Sequence, residues 1–222
     1  MNSISQTPRT APTVAIADDH PMIRLAIKDV LLPLRAHEVV MCQSGKELLD
    51  ALERRRFDLV VTDFAMEREQ GSEDGLRLIQ RIRSRFPDTP LVVFTMLTNP
   101  GLLSCIQAEG VAAIVGKTED PEVLRRACLD AISGVASGHL SAAIASRIAS
   151  AGGRADARTS ALSPKEIEVV RLFASGDSLT KIAAGFHRSL ATIAAQKRSA
   201  MEKLNIANNA DLIAYARDNG LA

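Results

Sequence analysis

The chain has 222 residues, enough at about 150 per domain for one large or two small domains able to bury a core. Apolar residues make up 46% and charged residues 24%, which excludes a disordered chain and a fibrous repeat. Lys and Arg number 27 against 26 Asp and Glu, a formal net charge of +1, and taken whole this balance argues against a nucleic-acid or anionic-membrane partner unless two halves of opposite sign cancel within it.

Residues 1–12, MNSISQTPRTAP, lack the apolar stretch of a signal peptide and are expected to be disordered. No apolar run approaches the roughly 18 residues that span a bilayer. Cys42, Cys105 and Cys128 are widely spaced, with no C-x-x-C pair and no His at ligand spacing, so neither disulfides nor a zinc site is expected. The expectation is a cytoplasmic protein with no membrane partner. Aromatics at 3%, with no Trp, weaken any reading built on base stacking with single strands.

From residue 13 to 133 short β-branched runs alternate with segments of helical period. TVAIA, EVVMC, DLVVTD, PLVVFT and VAAIVG read as strands, and MIRLAIKDVLLPL, GKELLDALERRR, GLRLIQRIRSRF, PGLLSCIQAEG and PEVLRRACLDAI as helices. Five such units predict an α/β, doubly wound five-stranded parallel sheet. Residues 134–160 shift toward Ala, Ser and Gly and read as a linker in which AAIASRIA is a possible helix. From 161 to 222 the pattern is all helical. Ser163, Pro164 and Glu166 form a helix start with a capping box, and three more helices follow near 179–186, 190–204 and 209–218, a four-helix module. Residues 1–150 hold 17 basic against 19 acidic side chains and residues 151–222 hold 10 against 7, so the near-neutral total is a cancellation that leaves nucleic acid open.

In open α/β sheets ligands bind beyond the carboxyl ends of the strands where strand order reverses. Asp18 and Asp19 follow the first predicted strand, Asp63 ends the third, and Thr95 and Lys117 lie at the ends of the fourth and fifth. Taken singly, Asp19 caps a helix, Asp63 ends a strand in a turn and Lys117 is solvated; His20 is a surface or capping residue. Five such residues on one edge call for another explanation. Two carboxylates about 5 Å apart repel by about 3 kcal/mol at an effective dielectric near 20, so three together require a counter-charge. Oxygen ligands without Cys or His favour Mg²⁺ as that charge, with Lys117 and the Thr95 hydroxyl placed for phosphoryl oxygens.

ADDHP, the Asp of VVTDFAM, the Thr of VVFTM and the Lys of IVGK resemble the receiver domain of two-component response regulators, a flavodoxin-like fold. The resemblance implies that Asp63 is the phosphoacceptor for a sensor histidine kinase or phosphotransfer protein. It further implies that Asp18, Asp19, Asp63 and the backbone carbonyl of Ala65 bind Mg²⁺, and that Thr95 and Lys117 contact the phosphoryl group. Three positions depart from the family pattern. Glu67 stands where a Pro is usual, Ile114 replaces the aromatic switch residue, and Met96 follows Thr95 where a smaller side chain is common and is expected to crowd the pocket.

In the helix LATIAAQKRSAMEKL a step of 100° per residue puts Ile193, Lys197, Ala200, Met201 and Leu204 on the core side, with Lys197 carrying its amine out to solvent. Ala191, Ala194, Ala195, Arg198 and Glu202 lie opposite, and Thr192, Gln196, Ser199 and Lys203 line one flank. With SLTKIAAGF before it, this is a helix-turn-helix pattern. A small-residue face serves protein interfaces as often as DNA. Lys181, Arg188, Lys197, Arg198 and Lys203 against the single Glu202 between 178 and 205 favour DNA. LSPKEIEVVRLFASGDSLTKIA and the QKRSAMEKL that follows resemble the LuxR-type DNA-binding domain, which together with the receiver domain is the NarL/FixJ class. That resemblance implies base contacts from Ala194, Ala195 and Arg198, phosphate contacts from Thr192, Gln196 and Lys203, double-stranded DNA as partner, and a homodimer or a heterodimer with an auxiliary regulator. The expected function is a phosphorylation-controlled transcription regulator. A phosphorylation-independent or partner-controlled regulator that uses the receiver domain as a dimerisation surface, and a Mg²⁺-dependent phosphohydrolase, are the alternatives; the second leaves the basic module unexplained.

Overall fold

A computed structural model describes residues 11–66, 75–135, 138–154 and 162–221. Its sheet is parallel throughout, in the order β2-β1-β3-β4-β5-β6. The strands are β1 (Thr13–Ala17), β2 (Glu38–Cys42), β3 (Leu59–Thr62), β4 (Leu91–Thr95), β5 (Ala113–Gly116) and β6 (His139–Leu140). A parallel sheet is covered on both faces, which is why the central strands are unbroken apolar runs. Alternate residues serve the two layers. Val14, Ile16, Leu59, Val61, Val92, Ala113 and Val115 pack under α1 (Pro21–Val30) and α5 (Pro121–Ile132). Ala15, Ala17, Val60, Val93 and Ile114 pack under α2 (Gly45–Arg54), α3 (Gly75–Arg85) and α4 (Pro100–Ala108). The first helix is shorter than its apolar period suggests. Pro33 has no N–H to give the carbonyl of Asp29, so α1 ends at Val30 and Leu32–Leu34 form a 3₁₀ turn.

Six strands replace the five expected. The extra strand, β6, pairs His139 and Leu140 with Ala113 and Ile114, and two residues are too few for alternation to be visible in a sequence. It leads into α6 (Ala142–Arg154), which packs on β5 and α4 with Ile144 fully buried. The segment read as a linker with a possible helix is thus partly a docked extension of the sheet. Residues 1–10, 67–74, 136–137, 155–161 and 222 lie outside the described residues, and with them most of the N-terminal stretch and Glu67. Cys42 and Cys128 are buried thiols pushed up to about 11 and about 12 by burial, and no disulfide joins the three cysteines.

The second unit has the four expected helices, α7 (Pro164–Ala174), α8 (Leu179–Gly185), α9 (Leu190–Leu204) and α10 (Asn209–Asp218). Each starts on a side-chain cap, from Ser163, Ser178, Ser189 and Asn208. Glu166 is the hub. Its carboxylate accepts from Ser163 N at 2.7 Å, Ser199 Oγ at 2.7 Å and Lys203 Nζ at 2.8 Å, tying the start of α7 to α9. The two units are docked. Asn99 Nδ2 donates to the Asn219 carbonyl at 3.0 Å, and Gly101 of α4 faces Ile167 of α7. The Glu168–Arg171 pair of α7, 2.9 Å apart and 2% and 4% exposed, lies against Gly75 and the ring of Phe64.

Two outcomes follow from these buried charges. Burial raises the Glu166 carboxyl, but Lys203, Ser199 and Ser163 outweigh it and hold the group near 2, below its ordinary 4.5. Its contribution is therefore complete above about pH 4.5 and disappears as the pH falls toward 2. Glu166→Gln is expected to lower stability by about 1–3 kcal/mol at neutral pH, by denaturant unfolding followed with circular dichroism, and the gap to wild type should close in acid. Removing one member of a buried pair costs about 3–5 kcal/mol if the other stays buried. Opening the interface relieves that cost, so Glu168→Gln should enlarge the radius of gyration in small-angle scattering; an unchanged radius would count against the docked pair.

Candidate functional site

The register β1 to β3 pairs Ala17 with Thr62, so the next residues, Asp18 and Asp63, leave adjacent strands side by side at the carboxyl edge. This is the reversal point, since β1 has β2 on one side and β3 on the other. Asp18 is fully buried and Asp63 is 6% exposed. Between them stands Lys117, delivered from the end of β5, whose Nζ is 2.7 Å from Asp18 Oδ2 and 2.7 Å from Asp63 Oδ2. The solvated Lys117 of the simplest sequence reading is excluded. Asp63 Oδ1 accepts from Phe64 N at 2.7 Å, and Asp18 Oδ1 from His20 N at 2.9 Å. Burial is the largest influence on Asp63 and raises its carboxyl, with Lys117 opposing. For Lys117 burial alone would lower the ammonium, yet Asp63 and Asp18 outweigh it and the group is raised.

The remaining predicted residues surround this triad. Asp19 Oδ1 lies 2.7 Å from His20 Nδ1, a hydrogen bond that raises the imidazole. His20, not Asp19, occupies the N-cap position of α1, and its side chain makes no cap bond. Thr95 is buried on β4, where its Oγ1 accepts from Leu97 N at 3.1 Å, leaving its own O–H to donate elsewhere. Ala65 is exposed, two residues beyond Asp63. Met96, the residue after Thr95, is 61% exposed. Ile114 is fully buried in the layer under α2 to α4. Sequence reasoning missed Arg24, whose Nη1 donates to the Asp18 carbonyl at 2.5 Å, and the Phe64 amide. Backbone donors leave no trace in residue type, and Arg24 looks like any cation on an exposed helix face.

Acidic ligand atoms of Asp18 and Asp19 gather here with a His20 nitrogen, all within 4.8 Å of one another. The carboxylate oxygens, with Asp63 beside them, are the hard donors a small divalent cation takes, and they fit Mg²⁺. Chemically the site offers one carboxylate, Asp63, held at one oxygen by the Phe64 amide and at the other by the Lys117 ammonium that it shares with Asp18.

In α9 the core side is as predicted for Ile193, Lys197, Ala200 and Leu204, which are buried. Lys197 does not reach solvent. Its amine donates to Asn209 Oδ1 at 2.5 Å and lies 3.9 Å from the centre of the Phe173 ring, and burial lowers it. Ala191, Thr192, Ala195 and Arg198 are exposed, while Ala194 and Gln196 are half-buried. Lys203 is exposed and ion-paired to Glu166. No helix among the described residues is long and apolar enough to cross a membrane.

Residues 14–129 match the response regulator receiver domain and residues 160–216 the bacterial regulatory proteins of the luxR family. The chain is 36% identical over 203 residues to the transcriptional regulatory protein RcsB of Escherichia coli strain K12, covering 91% of this chain and 92% of that one. A structure of the Salmonella typhimurium RcsB response regulator aligns with a TM-score of 0.79 at 32% identity, over 95% of this chain and 99% of that one. RcsB of Salmonella enterica serovar Typhimurium, bound to the promoter rprA in the presence of the phosphomimetic BeF3-, aligns at 0.78 and 32%, over 93% of this chain and 98% of that one. A receiver domain followed by a LuxR-type helix-turn-helix, both matched along one chain, means that this protein belongs to the two-component response regulators and is similar to RcsB.

Proposed function

We propose that Asp63 is the phosphoacceptor of a cytoplasmic transcription regulator, and that its phosphorylation favours dimerisation and binding to double-stranded DNA. The observation that carries this reading is the single Lys117 ammonium shared between Asp18 and Asp63. A carboxylate oxygen of Asp63 attacks the phosphorus of a phosphohistidine on a sensor kinase or phosphotransfer protein. The P–N bond breaks, the imidazole nitrogen keeps the electron pair, and an acyl phosphate remains on Asp63. Lys117 then has a phosphoryl oxygen to bind in place of Asp63 Oδ2. Thr95, whose oxygen already accepts from Leu97 N, has its hydroxyl proton to give to a second phosphoryl oxygen. Asp18, Asp19, Asp63 and the Ala65 carbonyl would hold Mg²⁺, which when bound neutralises charge developing on the transferred group.

The DNA-facing side of α9 is assigned to Thr192, Ala194, Ala195, Gln196 and Arg198. Lys203 belongs to it only where Glu166 releases its amine. A second copy on a half-site about one helical turn away roughly doubles the contacts.

Incubation with acetyl phosphate and Mg²⁺ should label wild type and leave Asp63→Ala unlabelled, and only the labelled protein should gain affinity for an operator selected from a random duplex pool. An Asp63→Ala protein that labels equally would refute the assignment. Turnover of an external phosphoester would favour an enzyme instead. Arg198→Ala should label normally and bind operator about tenfold more weakly, with a shallower dependence of affinity on salt; wild-type affinity would mean that another face meets DNA.

A further inference from the structure

On the side of β5 that faces β6, the pairing stops at Ile114, two residues before β5 ends. His139 N donates to the Ala112 carbonyl and Ser141 N to the Ile114 carbonyl, after which the chain turns into α6. Gly116 is next on that edge, and its amide donates instead to Glu119 Oε1 at 2.9 Å. Glu119 N returns a bond to the Gly116 carbonyl at 3.1 Å. Lys117 and Thr118 are therefore the two central residues of a turn closed by both backbone and side chain. Gly116 permits the approach, since a Cβ there would meet Glu119 Oε1 at 3.0 Å.

The same carboxylate reaches the next element. It accepts from the Ser141 hydroxyl, which is 2% exposed, and through Oε2 from Ala143 N at 3.4 Å, in the first turn of α6. An anion at this position is favoured by the unsatisfied amides of the helix start. One side chain thus joins the turn that carries Lys117 to the helix that leads toward the DNA-binding unit.

We propose that Glu119 is a positioning residue with two linked roles: it fixes the backbone of the Lys117 turn so that the ammonium reaches Asp18 and Asp63, and it transmits displacement of Lys117 to the first turn of α6. The second role, as a response to phosphorylation, rests on the reading of Asp63 as phosphoacceptor. Gly116 N and the Ser141 hydroxyl are buried donors, and leaving them unpaired is costly, so they follow the carboxylate when the turn shifts. α6 packs on α4, and α4 on α7. The route ends at the helix that bears the hub residue Glu166.

Amide hydrogen exchange at residues 142–146 of the full chain tests this without any phosphodonor. Asp63→Ala removes one of the two acceptors of Lys117, and it should change exchange at these amides severalfold. In Glu119→Ala the same substitution should leave them unchanged. Equal responses in the two backgrounds, or none in wild type, would overturn the proposal. Glu119→Gln keeps an acceptor for Gly116 N and should retain most of the response; if it is folded and behaves as Glu119→Ala, the hydrogen-bonded role is wrong. Where Glu119→Ala fails to fold, Ser141→Ala removes the stronger of the two α6-side bonds and leaves the 3.4 Å contact from Ala143 N, so it should at least halve the response with Asp63 labelling within about twofold of wild type; a full wild-type response would overturn the α6 role. Labelling by acetyl phosphate should be about tenfold slower in Glu119→Ala, the equivalent of one charge-assisted hydrogen bond. Wild type that takes no label defeats the phosphoacceptor reading, while the donor-free exchange result still decides the role of Glu119.

Discussion

Everything in the receiver half depends on one ammonium shared by two carboxylates. Asp18 and Asp63 leave neighbouring parallel strands in register, so the backbone fixes them within about one strand spacing, near 4.8 Å. At that separation in a buried site they cannot both ionise without a cation. Lys117 supplies it from β5, across the intervening β4, and the four methylenes of Lys suit that span. Strand order, parallel direction and the length of the Lys side chain are one constraint seen three ways. A cation shared between two equal partners is also the group that moves most readily when one of them changes charge.

The second unit is held to the first by contacts of the same marginal kind. A buried ion pair gives little net stability, because desolvation offsets most of the attraction. Glu168 and Arg171 are buried by Gly75 and Phe64 of the receiver half, so part of their desolvation is a cost of docking itself. Phe64 is also the residue whose amide holds Asp63 Oδ1. Docking and the carboxylate site therefore share a residue, and an interface of low net energy is one that a small change at the site can shift.

Much of this was legible in the sequence, and the parts that were not have specific causes. The five long strands, the four C-terminal helices and the Ser163–Glu166 capping box each have a local signal: apolar runs, 3.6-residue period, cap spacing. The edge carrying Asp18, Asp63, Thr95 and Lys117 was legible because parallel topology converts strand ends into neighbours. β6 was not, since its two residues pair only because β5 has a vacant edge. Lys197 was misjudged, and the partner that Lys203 finds in Glu166 was not foreseen. Helical periodicity tells which way a residue leaves α9, but not that Phe173, Asn209 and Glu166, from other elements, wait there.

Those lysines bear on how the regulator is controlled. Of the five cations between 178 and 205, Lys181 pairs with Asp177, Lys203 with Glu166, and Lys197 is buried. Of the five, Arg188 and Arg198 are exposed and make no ion pair among the described residues. Since nonspecific affinity scales with the phosphates neutralised, a helix-turn-helix with two uncommitted cations gains little affinity from them alone. The exposed side of α9, with Thr192, Ala195 and Arg198, remains open to solvent while the two units are docked. Undocking therefore has little there to uncover. A second copy, by contrast, brings a second set of contacts at once and makes its binding intramolecular, which multiplies affinity without any new residue. Control that acts on pairing gains more from this surface than control that acts on its exposure.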